Sequence, residues 1–310
     1  MSNLETKMKF LLFADLHHAP GKYPSGTWEH LGMIQKHAEE ENVDFIIHAG
    51  DFCFAAGEIP EFVEAYNNFH IPSYHVLGNH DADRTPLDEV LRLYRMPGEY
   101  YYFDNNGYRI IALSPNYYKH DGKYYAYDRG NYYKFGPDRD WLPPEQVEWL
   151  EKTIADSPYP CILISHESFE REEDGVKNQM EVRKIINDAN KRKPHSVLMC
   201  INGHYHRDFL RILDNVLYFD VNAVSFEFIN QPPHNLYPPE FHEKWPAAKY
   251  SVLWEDPLHC IVTIEGNTIT IDGMESKFLY GVTREMTGQP PNPSGRACTP
   301  KIQSAKITLG

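Results

Sequence analysis

No apolar run in the 310 residues approaches the ~18 that a membrane-spanning helix requires, which argues against an integral helical membrane protein. Paired cysteines are missing too. Cys53, Cys161, Cys200, Cys260 and Cys298 are odd in number, widely spaced and without a C-x-x-C pair, so neither a disulfide framework nor a cysteine zinc site is indicated. Three of them lie in or beside apolar segments, as small buried thiols do in a reducing compartment. Basic residues are scarce: 30 Lys and Arg face 44 Asp and Glu, a net charge of −14. Such a balance disfavours a stable nucleic-acid partner, whose phosphates need Lys and Arg, and it favours a small partner molecule. The first residues, Met1 to Lys9, contain no hydrophobic signal region, so the expected location is cytoplasmic, with no membrane partner.

A hydrophobic content of 42% is ample for a substantial core. Five apolar runs of strand length stand out: Phe10 to Ala14, Phe45 to Ala49, Tyr74 to Leu77, Cys161 to Ser165 and Val197 to Ile201. They read as strands buried on both faces. Each is followed by a short polar motif: Asp15-Leu16-His17, Gly50-Asp51, Gly78-Asn79-His80-Asp81, His166, and Gly203-His204-Tyr205-His206. In an open α/β sheet, ligands bind at the carboxyl ends of the strands, so motifs far apart in sequence are expected to converge there.

Imidazole and carboxylate suit zinc, iron and manganese, and a carboxylate can bridge two cations while an amide oxygen fills a weaker position. Seven such groups are too many for one catalytic ion that keeps an open position. They suit two ions about 3.5 to 4 Å apart, which stabilise the attacking and leaving oxygens of an in-line displacement at phosphorus.

The ordered set D-x-H, GD, GNH[DE], H and GHxH resembles the signature of the calcineurin-like metallophosphoesterase superfamily, in particular its bacterial phosphodiesterase branch. The resemblance covers residues 9 to about 225. It implies a four-layer αββα sandwich with two mixed β-sheets flanked by helices. It also implies Asp15, His17, Asp51 and His206 on one metal ion, and Asp51, Asn79, His166 and His204 on the other, with Asp51 as the bridge. The ions would be divalent or trivalent Mn, Fe or Zn. His80 would not be a ligand; it would lie beside the substrate phosphate, steadying charge or protonating the leaving oxygen. Purple acid phosphatases in this superfamily carry a tyrosine ligand three residues after the GD aspartate, where this chain has Phe54. Relatives that serve as scaffolds have lost ligands or the GNH histidine; here every position is filled.

The expected function is therefore dinuclear metal-dependent phosphohydrolysis of a small phosphodiester by attack of a metal-bridging hydroxide. The alternatives are a phosphomonoesterase, a nuclease of the same superfamily, or a non-catalytic metal-binding scaffold. The catalytic domain is expected over 1–286, with a C-terminal extension over 287–310 whose last residues alternate weakly and would add a strand to this sheet or to a neighbour's in a homo-oligomer. Within 115–143 the seven tyrosines Tyr117, Tyr118, Tyr124, Tyr125, Tyr127, Tyr132 and Tyr133 read either as a lid over the site or as a cover packed on itself. The proline-rich stretch Asn230 to Trp245 reads as a pocket wall or as a surface excursion. Helices are expected over Thr27 to Glu41, Glu58 to Phe69, Pro86 to Tyr94, Pro144 to Ile154 and Gln179 to Ala189, the first burying Trp28, Leu31, Ile34 and Ala38. After Gly203, the shorter strands Phe209 to Leu213, Val216 to Asp220, Ser251 to Trp254, His259 to Ile264 and Thr268 to Ile271, joined by turns such as Glu265-Gly266-Asn267, are expected to complete a second sheet and an edge hairpin. His18 would point away from His17, and His48 and His75 would sit in the core.

Overall fold

The computed structural model describes residues 6–22, 26–136, 138–229, 234–288 and 298–310. Its strands, in chain order, begin with β1 (Lys7–Phe13), β2 (Phe45–His48), β3 (Ser73–His75), β4 (Tyr101–Asn105) and β5 (Tyr108–Ala112). Next come β6 (Tyr117–His120), β7 (Lys123–Ala126), β8 (Cys161–Ile164), β9 (Val197–Asn202), β10 (Phe209–Leu213) and β11 (Val216–Asp220). The last are β12 (Phe226–Phe228), β13 (Ser251–Leu253), β14 (Cys260–Glu265), β15 (Thr268–Gly273) and β16 (Ala305–Thr308). The helices are α1 (Thr27–Glu40), α2 (Pro60–Asn67), α3 (Leu87–Leu93), α4 (Pro144–Ala155), α5 (Gln179–Arg192) and the short α6 (Pro239–Lys244).

One six-stranded sheet runs β16-β15-β14-β1-β2-β3 and the other β10-β11-β9-β8-β5-β4. Strands β1, β2 and β3 are mutually parallel, as are β5, β8, β9 and β11. That direction brings the carboxyl ends of the motif-bearing strands to one edge of each sheet. Successive side chains alternate between faces. Phe10, Leu12, Phe45 and Ile47 of the first sheet meet Ile110, Ile162, Ile164 and Phe219 of the second in the central core. Leu11, Phe13 and Ile46 turn the other way, against Leu31, Ile34, Phe62 and Val90 of α1 to α3. Ile111 and Leu163 meet Leu150, Val182 and Ile186 of α4 and α5. The result is the four-layer αββα sandwich, each fully buried large apolar side chain contributing about 1.5–3 kcal/mol.

Several elements depart from the sequence expectation. The β14–β15 hairpin joins the first sheet beside β1, and β13 pairs with β12 in a separate two-stranded sheet. Edge strand β4 and the β6–β7 hairpin were hidden by tyrosine-rich, half-exposed sequence. Their turns carry the signal: Asn106-Gly107 and Asp121-Gly122 both have two successive positive φ values, the pairing that two-residue hairpins require. Trp28 is 47% exposed, and Thr27 takes the buried position in α1. In the proline-rich stretch, 230–233 lie outside the described residues; beyond them Tyr237 and Ala248 belong to the central core, with Leu236, Phe241 and Trp245 packed against it. Of 287–310, residues 289–297 lie outside the described ones, and β16 pairs with β15 of its own sheet. No helix among the described residues is long and apolar enough to cross a membrane.

Candidate metal centre

Beyond the ends of β1 and β2 the two loops stay hydrogen-bonded, Asp15 N to Gly50 O at 3.1 Å, His17 N to Asp51 O at 2.9 Å and His18 N to Phe52 O at 3.0 Å. Asp15, His17 and Asp51 are thereby held side by side. All three, with His204 and His206, have left-handed backbone, φ between 49° and 71°. Non-glycine residues adopt that region at a cost of roughly 1–2 kcal/mol each, and such strain gathers at functional sites. The glycines before the motifs make the approach possible. A Cβ on Gly78 would lie 2.2 Å from Asp51 Oδ1, one on Gly203 2.6 Å from Asp15 Oδ2, and one on Gly50 2.3 Å from His166 Nδ1.

All seven residues named from the motifs converge. His17 Nε2 lies 3.6 Å from Asp15 Oδ1, 3.6 Å from Asp51 Oδ2 and 3.0 Å from His206 Nε2. His206 Nε2 is 3.3 Å from Asp15 Oδ1, and His166 Nε2 is 3.1 Å from Asp51 Oδ2 and 3.7 Å from Asp15 Oδ1. Asn79 Oδ1 meets His204 Nδ1 at 3.1 Å. Asp51 Oδ2 thus lies beside one histidine from each expected set, and Asp15 Oδ1 beside two from the first and one from the second. The carboxylates are further oriented by backbone donors, His80 N to Asp51 Oδ1 at 2.8 Å and His204 N to Asp15 Oδ2 at 3.0 Å.

The donor set fits metal cations. His166 Nδ1–H donates to Ala49 O at 2.7 Å and His206 Nδ1–H to Phe226 O at 2.6 Å, which leaves both Nε2 lone pairs facing inward. Buried His166 Nε2 has no hydrogen-bond partner. Two inward imidazole nitrogens 3.0 Å apart, as in His17 and His206, need a proton or a cation between them. The electrostatics agree. Burial opposes charge on Asp15, yet His206 and His166 hold it below the usual carboxylate range; Asp51 is likewise lowered, against burial, by His166 and His80. Burial lowers His17 to about 4 and His204 to about 3, keeping them neutral as ligands must be. Burial also disfavours the charged form of His166, but Asp51 and Asp15 outweigh it and raise its proton affinity, the same negative potential that draws a metal ion.

His80 adjoins this cluster, its ring 5.6 Å from that of His17, and its Nδ1 lies 2.7 Å from Asp83 Oδ2. Asp83 also accepts from Tyr133 Oη at 2.6 Å and Tyr132 Oη at 2.8 Å. The tyrosine-rich segment therefore does two things: Tyr118, Tyr127 and Tyr132 pack together with Phe135, while Tyr132 and Tyr133 reach the residues beside His80. His18 bonds Thr27 Oγ1 at 2.6 Å and stacks on Phe62, away from the cluster. His48 and His75 bond each other in the core, and His48 Nδ1 accepts from Gly50 N at 3.2 Å.

Three residues with evident roles around the centre were given none by sequence reasoning, although Asp81 closes the third motif. Asp81 accepts from the backbone N–H of Gly78, Asp51, Phe52 and Cys53 and from Tyr94 Oη, pinning the GD and GNH loops together. Burial and the charge of Asp51 push it up to about 7. Asp83 has no local signal beyond its place three residues after His80. Glu167 is fully buried beside His166 and His204, with neither carboxylate oxygen hydrogen-bonded, and burial raises it to about 8. Its adjacency to His166 is the one hint the sequence offers.

Fold and site together define a metallophosphoesterase. The family described as calcineurin-like phosphoesterase matches residues 8–208, and the chain belongs to that family. Among solved structures, a dimetal phosphatase from Danio rerio aligns over 99% of this chain and 100% of its own, with a TM-score of 0.64 at 12% identity. Purple acid phosphatase PPD1 from yellow lupin aligns over 99% of this chain and 55% of its own, with a TM-score of 0.53 at 13% identity. At those identities the likeness is one of fold. In sequence, the manganese-dependent ADP-ribose/CDP-alcohol diphosphatase of Arabidopsis thaliana is 31% identical over 83 residues, which spans 24% of this chain and 25% of that relative.

Proposed function

We propose that the chain hydrolyses a small phosphodiester, with Asp15, His17, Asp51 and His206 holding one metal ion and Asp51, Asn79, His166 and His204 the other. The observation that carries this reading is the inward convergence of the Nε2 atoms of His17, His166 and His206 on the carboxylates of Asp15 and Asp51. Two such ions, when bound, supply Lewis acidity toward phosphoryl oxygens and a water acidic enough to attack at neutral pH. The protein's own share is to fix the donors on strained, glycine-flanked loops and to place His80 beside the reacting phosphate, where it steadies charge or delivers a proton to the departing oxygen. A diester is favoured over a monoester because a cavity of about 510 Å³, floored by Phe54 and reaching Asp83 beside His80, offers room for a second esterified group. The partial likeness to a diphosphatase points the same way. The catalytic unit would span 1–286, and five buried free cysteines suit a reducing cytoplasm.

The test is metal analysis and turnover of protein reconstituted separately with Mn, Fe and Zn, on bis(p-nitrophenyl) phosphate and p-nitrophenyl phosphate. Two equivalents of metal with faster diester turnover support the reading. Faster monoester turnover rejects the diester preference, and metal-loaded protein inert on both rejects the enzyme.

A further inference from the structure

Among the described residues, Glu167 is the one buried carboxylate with neither oxygen in a hydrogen bond. The acids around it are served. Asp15 and Asp51 accept from backbone N–H groups, Asp81 from four of them and from Tyr94, Asp83 from His80 and two tyrosines, and Asp140 from Tyr127 Oη at 2.6 Å. Glu227 is paired with Arg207 at 2.8 Å. A desolvated carboxylate without donors is costly, and protonating it does not remove the cost, because the neutral group's O–H then lacks an acceptor. What lies within reach is imidazole: one nitrogen each of His166 and His204 and one Glu167 oxygen are within 4.8 Å of one another. Glu167 directly follows His166 just past the end of β8, and Ser165 Oγ–H donates to Glu167 O at 2.7 Å, which steadies the turn that carries both side chains.

We propose that Glu167 is an eighth metal-binding residue, giving its carboxylate to the ion assigned above to Asp51, Asn79, His166 and His204. The inference rests on that two-ion reading. In it the first ion has a carboxylate of its own, Asp15, besides the shared Asp51. The second has only the shared carboxylate, a neutral amide and two imidazoles. Glu167 removes the inequality: each ion then has one private carboxylate, with Asp51 between them. The same contact gives the buried carboxylate the positive partner that it otherwise lacks. Zinc takes a carboxylate oxygen at about 2.0–2.2 Å and an imidazole nitrogen at about 2.0–2.1 Å, so donors to one ion stand up to roughly 4 Å apart. Glu167, His166 and His204 need only a small side-chain rotation to meet on it.

The experiment titrates metal-stripped full-length protein and its Glu167→Gln variant with zinc by calorimetry; the variant keeps the size of the side chain and loses its charge. Wild type should bind two equivalents. In Glu167→Gln one of the two should weaken by at least about tenfold, the lower end for disturbing even the partner of a metal ligand, while the other changes less. The zinc-dependent rise in Tm should shrink with it. Crystals of zinc-loaded wild type, a measurement that needs no variant, should place a Glu167 oxygen about 2.0–2.2 Å from one ion. Two equivalents bound by the variant with unchanged affinity overturn the assignment and leave the two-ion reading intact. So does weakened binding with the Glu167 oxygens hydrogen-bonded to His166 or His204 and not on the metal, which would make Glu167 a positioning residue. A single equivalent in wild type overturns the two-ion reading, and the variant's affinity for that ion, with the same crystal distance, then decides the role of Glu167. No zinc bound at all overturns both.

Discussion

His80 Nδ1 and Asp83 Oδ2 are 2.7 Å apart, three residues separated in sequence and both at the edge of the metal centre. The carboxylate accepts the Nδ1 proton, which fixes the tautomer and leaves Nε2 as the group available to a substrate. Because Tyr132 and Tyr133 also donate to Asp83, the orientation of His80 depends on a segment fifty residues away.

Asp83→Asn is therefore expected to retain both metal equivalents while lowering kcat by about 10-fold or more for alkoxide leaving groups. Direct loss of His80 should cost about 10²- to 10⁴-fold. The Asp83→Asn loss should shrink for nitrophenolate, which departs without a proton. Equal losses across a leaving-group series would assign Asp83 to phosphate positioning or to loop structure.

Asp51 lies within 3.6 Å of His17 and 3.1 Å of His166. Asp51→Ala should abolish turnover and remove at least one metal equivalent, read by elemental analysis, with the circular dichroism of the fold retained. Turnover near the wild-type rate would show that Asp51 does not bridge the two sets.

A Cβ on Gly203 would meet Asp15 Oδ2 at 2.6 Å and Ala49 O at 2.9 Å. Neither neighbour is free to swing away, so Gly203→Ala should displace Asp15 and weaken metal binding by tenfold or more in a chelator competition. Gly21→Ala is the contrast: nothing lies within 4 Å of its Cβ, and its effect on metal affinity should be negligible despite the strain at φ +77. Similar affinities for both variants would refute the close-approach argument.

Removing the Asp81 carboxylate strands four buried backbone donors at once. Asp81→Ala should lower unfolding free energy on the order of 3 kcal/mol and weaken metal binding together, since the same donors belong to the GD and GNH loops. Denaturant titration with and without metal checks both effects; a stability change below about 1 kcal/mol would mean that water replaces the carboxylate.

His259 is buried, donates through Nδ1 to Pro257 O, and faces His37 through Nε2; burial lowers it to about 4. The unfolded chain, at about 6.5, then binds more protons than the native one between those values. This stabilising contribution is present above pH 6.5 and is lost as pH falls toward 4, a change on the order of 3 kcal/mol. His259→Gln should flatten the pH dependence of unfolding in that window. The same slope in both proteins would assign it to other groups.

Much of the site was legible in the chain because its information is local. Each ligand follows an apolar strand, each crowded motif carries its glycine, and a run such as Phe10 to Ala14 has the composition of a doubly buried strand whatever its neighbours. The type and order of Asp15, His17, Asp51, Asn79, His166, His204 and His206 follow from the sequence by itself, as does the placement of five helices. Other features depend on which segments meet. That β14 pairs with β1, and β15 with β14, rather than extending the second sheet is decided by long-range hydrogen-bond pairing, to which their alternating pattern is indifferent. Trp28 lies at the rim, half exposed against Phe62, because Thr27 takes the buried position and bonds His18. Asp83 serves His80 because Tyr132 and Tyr133 fold back upon it, and Glu167 is desolvated because the loops carrying Asp51, Asp140 and His204 gather beside it. Periodicity and backbone sterics are written residue by residue, so sequence reveals them; partner choice, desolvation and the distance between side chains exist only once distant segments share a volume.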